Sequence, residues 1–207
     1  MIKFTIFGLN FSLSVGFMGI VSLMLYIDRF GLMFPTMVAI ILHELGHLIV
    51  LLAFRQKPKR IEIKVGAVAI IGNFILNKKR ELLMLCFGTA FNFIFGTVFY
   101  ICHMFFQNQY LLNFSLVMFV VGAFNLLPII GLDGGDILKL ILLNFLKSKA
   151  VNFIIYLLSF FTAFLIVIFG SFVFLDTKSN VSLILFGIYL FLGTLISKKQ
   201  KKDCNIR

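Results

Sequence analysis

The feature that most constrains this chain is a series of six apolar runs. They cover about residues 9–27, 32–54, 81–102, 110–130, 151–175 and 181–197. A helix needs about 20 apolar residues to cross the hydrocarbon core of a bilayer. The 207 residues are 61% hydrophobic and include 28 Phe, which is more apolar surface than a soluble domain of this length can bury. The pattern predicts an all-α polytopic membrane protein, with six transmembrane helices in a single membrane-embedded domain of residues 1–207.

The basic residues predict how these helices are oriented. Lys3 precedes the first run, eight Lys and Arg separate the second run from the third, three separate the fourth from the fifth, and five follow the last. The remaining segments contain only Arg29 and Lys178. Basic residues accumulate in cytoplasmic loops, so both termini are predicted to be cytoplasmic in a multi-pass protein of the cell membrane. This topology accounts for the net charge of +11 without a nucleic-acid partner.

The second run contains the pentapeptide His43-Glu44-Leu45-Gly46-His47. On a helix, residues four apart share a face, so both imidazoles can reach one metal ion. Glu44 lies about 100° around the helix, where its carboxylate can contact metal-bound water. This is the H-E-x-x-H arrangement of zinc peptidases. The alternative is a polar network that joins helices, but ionisable groups inside a membrane cost about 3 kcal/mol each to insert unless they are paired or bound to metal.

The fourth run ends in a second polar motif, which begins with Asn125-Leu-Leu-Pro128 and continues to Asp133-Gly-Gly-Asp136. Pro128 and the glycines predict a broken helix, which at membrane depth must be satisfied by protein or by a water-filled cavity. Asp133 is the acid best placed to be a third zinc ligand, and Asp136 is second; Asp133 could instead cap the following helix. Asn125 either stabilises an oxyanion or substrate backbone, or bonds to backbone groups freed by Pro128.

The 55–80 connection alternates apolar and polar residues, which predicts a small β-loop or hairpin at the membrane interface between helices 2 and 3. Its exposed edge could pair with an extended substrate, and its basic residues could equally bind anionic lipid. Glu62 and Glu81 are predicted to be ordinary surface charges. Asn92 is predicted to pack between helices rather than to contact the site. His103 is predicted to lie on the opposite side of the membrane from the other two histidines.

The two motifs, in this order, resemble those of the site-2 protease family of intramembrane zinc metalloproteases. The resemblance covers about residues 32–147 strongly, and the six-span layout is most similar to the sporulation branch, whose members cleave membrane-associated precursor transcription factors. It implies that His43, His47 and Asp133 bind zinc, that Glu44 is the general base and that the β-loop takes part in substrate binding. Thr89 and Asp136 replace the proline and arginine common in the family. The nucleotide-sensing C-terminal domain of the sporulation enzyme is not found in this sequence.

The sequence therefore predicts a zinc endopeptidase that binds one Zn²⁺ per chain. Its expected partners are the lipid bilayer and a transmembrane or membrane-associated protein segment. His47 precedes Phe54 by seven residues, which places the site about 10 Å from the cytoplasmic end of its helix. The alternatives are a metal-ion transporter and an inactive membrane scaffold, but the sequence has no inverted repeat with paired broken helices of the kind found in transporters.

Overall fold

The computed structural model describes residues 2–6, 9–13, 22, 26, 28, 31–64, 67–72, 74–177, 187–191, 193 and 194. By their internal contacts, the residues form two compact units, Met1–Ala123 and Phe124–Arg207. The first unit contains a sheet and the first helices, and the second contains the broken segment and the helices that follow it.

The first unit contains two long apolar helices, α1 (Met33–Ala53) and α2 (Lys78–Phe106), which pack against each other. The carboxylate of Asp28 accepts hydrogen bonds from the backbone N–H groups of Leu32 and Met33, which satisfies donors at the start of α1. Asn77 caps α2 by accepting a bond from Arg80 N. A third helix, α3, follows at Gln109–Asn125. Both long helices correspond to predicted spans.

The first unit also contains a four-stranded sheet, so the strands extend beyond the single β-loop or hairpin that was predicted in an otherwise all-α protein. Its strands are β1 (Ile2–Ile6), β2 (Leu9–Leu13), β3 (Arg60–Lys64) and β4 (Ala67–Ile71), in the order β1-β2-β3-β4. Both β1–β2 and β3–β4 are antiparallel pairs, whereas β2 and β3 are parallel. Strands therefore also form near the N-terminus, and β2 occupies the start of the run that had been predicted as the first span.

The prediction that Glu62 is an ordinary surface charge is wrong, because this residue is only 3% exposed. Its carboxylate forms an ion pair with the guanidinium of Arg60, two residues earlier on β3. The two side chains lie on the same face of the strand, since strand side chains alternate in direction. The parallel partner of Glu62 on β2 is Ser12, which is fully buried. Pairing with β2 buries this part of β3. The local sequence around Glu62 does not show that this pairing exists.

In the second unit, the chain leaves α3 at Asn125, so the predicted fourth span is a shorter, 17-residue helix. Turns over 126–132 lead into α4 (Asp133–Leu142), and α5 (Ser148–Thr177) follows. Ser159 on α5 supports the break: its hydroxyl accepts a bond from Ile130 N at 2.9 Å and donates to Ile155 O at 2.7 Å. Protein thus satisfies part of the irregular backbone, as expected for a broken helix. Ile129, Ala163 and Leu190 form the buried core.

Within the described part of the chain, three helices are long and apolar enough to cross a membrane: α1, α2 and α5. Large apolar side chains cover their exposed faces, for example Phe105, Phe169 and Phe172. An apolar outer surface is suited to lipid. Most of the predicted first span and most of the sixth lie outside the described residues.

Candidate metal centre

The two histidines of the pentapeptide lie on one buried face of α1. His43 is 6% exposed and His47 is 8% exposed. Their Nε2 atoms are 3.1 Å apart, and their rings are perpendicular with centroids 4.7 Å apart. The four-residue helical spacing therefore brings one nitrogen of each ring to the same point.

The ring of His47 is oriented by the backbone of α2. Its Nδ1 lies 2.9 Å from the carbonyl oxygen of Met84. A carbonyl can only accept a hydrogen bond, so Nδ1 carries the proton and donates it. In the neutral ring this leaves the lone pair of Nε2 facing His43, available to a metal ion. A hydrogen bond from the second ring nitrogen is the usual way in which a protein orients a histidine ligand.

Two glycines allow α1 and α2 to approach closely at this point. A Cβ atom on Gly46 would lie 2.6 Å from Phe87 O and 2.9 Å from Gly88 Cα. A Cβ atom on Gly88 would overlap the imidazole of His47. Gly46 thus brings the backbone of α2 against α1, and Gly88 makes room for the ring.

The polar residues of the second motif lie around the break between α3 and α4. Asn125 is the last residue of α3, and Asp133 is the first residue of α4. Leu132 occupies the N-cap position and no side chain caps this helix, so the capping alternative for Asp133 is not observed. Asp133 is half-buried, whereas Asp136 is exposed.

The double glycine explains how α4 can begin beside the broken segment. A Cβ atom on Gly134 would overlap the backbone carbonyl of Leu126, and one on Gly135 would overlap that of Ile129. Only glycine permits this approach, because a larger residue would push the start of α4 away from the turn. The glycines therefore fix the backbone next to Asp133.

His43 and His47, both in the first unit, form a candidate metal site in which each offers one ring nitrogen. Asp133 belongs to the second unit and stays the predicted third ligand. With one further protein ligand, two imidazoles would leave a fourth position open, as in catalytic zinc sites. Two nitrogens bound to one tetrahedral zinc at about 2.0–2.1 Å lie roughly 3.3 Å apart, close to the observed His–His separation. The residues present therefore fit zinc.

The third histidine of the chain, His103, is too far away to join His43 and His47. His103 is 15 residues after Gly88 on α2, or about 22 Å along the helix, and its Nδ1 lies 2.9 Å from Asn108 O. It is thus remote from His47. Sequence reasoning missed the contributions of Met84 and Gly88. A backbone carbonyl carries no sequence signal, and the role of Gly88 depends on where the two helices cross.

Comparisons with known proteins give similarity to a zinc metalloprotease and to a site-2 protease. No family model matches the chain. It is 32% identical over 165 residues to a zinc metalloprotease of Methanocaldococcus jannaschii, across 75% of this chain and 46% of that protein. The chain thus spans about half the length of this curated relative.

A solved structure is similar over a larger share of its length. The site-2 protease from Methanocaldococcus jannaschii matches with a TM-score of 0.69 and 26% identity, over 93% of each chain. The two proteins therefore share a fold. The chain is thus similar in sequence to a zinc metalloprotease and in fold to a site-2 protease.

Proposed function

We propose that the protein is an intramembrane zinc endopeptidase, which hydrolyses a peptide bond in a transmembrane or membrane-associated protein segment. The observation that carries the proposal is the pair of buried imidazole nitrogens, 3.1 Å apart, on a 21-residue apolar helix. Similarity to a zinc metalloprotease in sequence and to a site-2 protease in structure supports it. Burial of two histidines in such a helix is costly without a partner or a metal.

Each residue of the site has a proposed role. His43, His47 and Asp133 hold one zinc ion per chain. Zinc, when bound, polarises the scissile carbonyl and lowers the pKa of a water molecule to about 7. Glu44 accepts a proton from the attacking water and delivers it to the leaving amine. Asn125 donates a hydrogen bond to the substrate backbone or to the developing oxyanion.

We further propose that the substrate enters from the cytoplasmic half of the bilayer and pairs with an exposed strand. A helix must unwind before its peptide bonds can reach a catalytic group, and an extended segment can add to a sheet edge. In support, β4 lies at one end of the described strand order. The proposal that the substrate is a precursor transcription factor, as in the sporulation branch, is based on the layout of the predicted spans.

The test is to replace Glu44 with Gln, which keeps the shape of the side chain but removes the base. Glu44→Gln should retain the zinc content of the native protein and lower the cleavage rate by about 10²–10⁴-fold. Mass spectrometry of membrane fractions and released peptides, from cells that carry either form, would identify the substrate and the cut. Glu81→Gln is the matched control, because Glu81 lies in the first turn of α2, and it should cleave normally.

The two rival functions, an inactive scaffold and a metal-ion transporter, predict different results. An inactive scaffold would bind its partner and leave it uncut in the presence of the native protein. A metal-ion transporter, once reconstituted, would carry cations into liposomes. Cells with Glu44→Gln would then accumulate no uncut substrate, because a transporter cleaves none. Either result would contradict the proposed peptidase.

A further inference from the structure

Two buried polar side chains on α2 have no hydrogen-bond partner among the residues that the structure describes. Asn92 is 0% exposed, and neither its Oδ1 nor its Nδ2 has a partner. Thr89 is 3% exposed, and its Oγ1 also has none. Leaving buried polar atoms unsatisfied is unfavourable, and nearly all such groups in proteins are hydrogen-bonded. Asn92 was predicted to pack between helices, but packing does not account for its unsatisfied amide.

The hydroxyl of Thr89 differs from other helical hydroxyls in this protein. Thr97 donates to Phe93 O at 2.8 Å, and Thr36 donates to Leu32 O at 2.7 Å, each to the carbonyl four residues earlier. This is the usual local partner of a Ser or Thr side chain inside a helix. Thr89 makes no such bond, so its hydroxyl is available to a different partner.

The two side chains lie next to the candidate metal centre. Gly88, Thr89 and Asn92 all belong to the buried stripe of α2, and Gly88 is the residue whose backbone lies against the His47 ring. Asn92 is four residues beyond Gly88, a rise of about 6 Å along the helix. The unsatisfied group is therefore about one helical turn from the ring.

The space and the chemistry favour a small ligand that both donates and accepts hydrogen bonds. A Cβ atom on Gly122 of α3 would lie 3.3 Å from the Cβ of Asn92, so the two helices are in close contact there. Such contact leaves little room for a peptide segment. The amide offers an acceptor and two donors, and the hydroxyl offers one of each. Water matches this set, because a buried water typically makes two to four hydrogen bonds.

We propose that Thr89 and Asn92 hold an internal water molecule between α2 and α3, about one helical turn from His47. Hydrolysis consumes one water for each peptide bond, so a water held here is a reserve for the reaction. Thr89 and Asn92 are then positioning residues. The link to catalysis rests on the proposed function, whereas the presence of the water does not.

The water is tested first by a high-resolution crystal structure of the native protein and of Thr89→Val/Asn92→Leu. The native protein should show ordered density within hydrogen-bond distance of both side chains, and the double variant should show none. An empty native site, in a map that shows other buried waters, would overturn the proposal. This result does not depend on whether the protein cleaves any substrate.

The role in hydrolysis is tested by kinetics with the substrate found by mass spectrometry. Thr89→Val/Asn92→Leu should lower kcat about tenfold, with KM and zinc content unchanged. Thr89→Ser keeps the hydroxyl and should retain the native kcat. Ser115→Ala is the packing control, because Ser115 donates to Gly96 O at 2.9 Å across the same pair of helices, and it should leave kcat unchanged.

Two kinetic outcomes would contradict this role. A raised KM with an unchanged kcat in the double variant would show that the side chains contact substrate instead. An equal fall in kcat for Ser115→Ala would show that helix packing alone is responsible. If the native protein cleaves nothing, the proposed function fails, and the crystal structure still decides whether the water is bound.

Discussion

The absence of a side chain at residue 88 leaves room for the imidazole of His47, and Met84 O accepts a bond from the same ring. We expect Gly88→Ala to displace the ring from its position beside His43. Loss of such supporting interactions typically lowers metal affinity by about 10–100-fold. Zinc per chain, measured by inductively coupled plasma mass spectrometry after dialysis against a chelator, should fall accordingly.

Gly96→Ala is the control for this substitution, since it also adds a methyl group to the buried stripe of α2. Its Cβ would lie 3.2 Å from the Cβ of Met118, so it requires only small shifts in packing. Zinc content should stay at the native value. Equal zinc loss in both variants would mean that general packing of α2, rather than contact with His47, controls the metal.

The two acids at the start of α4 should differ sharply in their effect on metal binding. Asp133→Asn removes a charged oxygen from the candidate site, and zinc binding and cleavage should both be lost. Asp136→Asn alters an exposed acid in the same helical turn and should change neither. Titration of the metal-free protein with zinc measures the difference. Loss of zinc from Asp136→Asn alone would instead make Asp136 the third ligand.

At the level of helices, the break between α3 and α4 depends on one hydroxyl of α5. Ser159→Ala would leave the part-buried Ile130 N without this acceptor. An unsatisfied group costs up to about 1–3 kcal/mol when it is fully buried, so the loss here should lie at the lower end of that range. The melting temperature in detergent should therefore fall. Ser171→Ala is the control on the same helix, because its hydroxyl is observed donating to Val167 O. If both variants melt alike, Ser159 does not support the break.

The positions of α1, α2 and α5 were predictable from the sequence, and contacts between distant segments were not. The H-E-x-x-H spacing places His43 and His47 together because helical periodicity is local. The parallel pairing of β2 with β3 joins residues about 50 apart in sequence, and no local pattern encodes it. For the same reason the burial of Glu62 and the bond from Ile130 to Ser159 were missed. The role of Asp133 as a zinc ligand stays a prediction, made because few acids interrupt the apolar runs.

For the molecule as a whole, the predicted orientation can be tested at the two ends of α2. Lys57 and Gln107 are both exposed, and they precede and follow this 29-residue helix. In a background without the native cysteines, Lys57→Cys should react with an impermeant maleimide only after the membrane is opened. Gln107→Cys should react in intact cells. Reversed labelling would invert the topology, and labelling of both in intact cells would contradict a spanning α2.

The bond from His47 to the main chain at Met84 has a consequence for mutagenesis of this protein. Alanine scanning along α2 would replace every side chain and still leave that oxygen in place. The scan would then describe α2 as irrelevant to the metal, apart from positions such as Gly88 where the backbone is obstructed. Replacing the amide that contains this carbonyl with an ester would weaken the acceptor itself. Zinc binding should then fall, which side-chain variants of Met84 would not show.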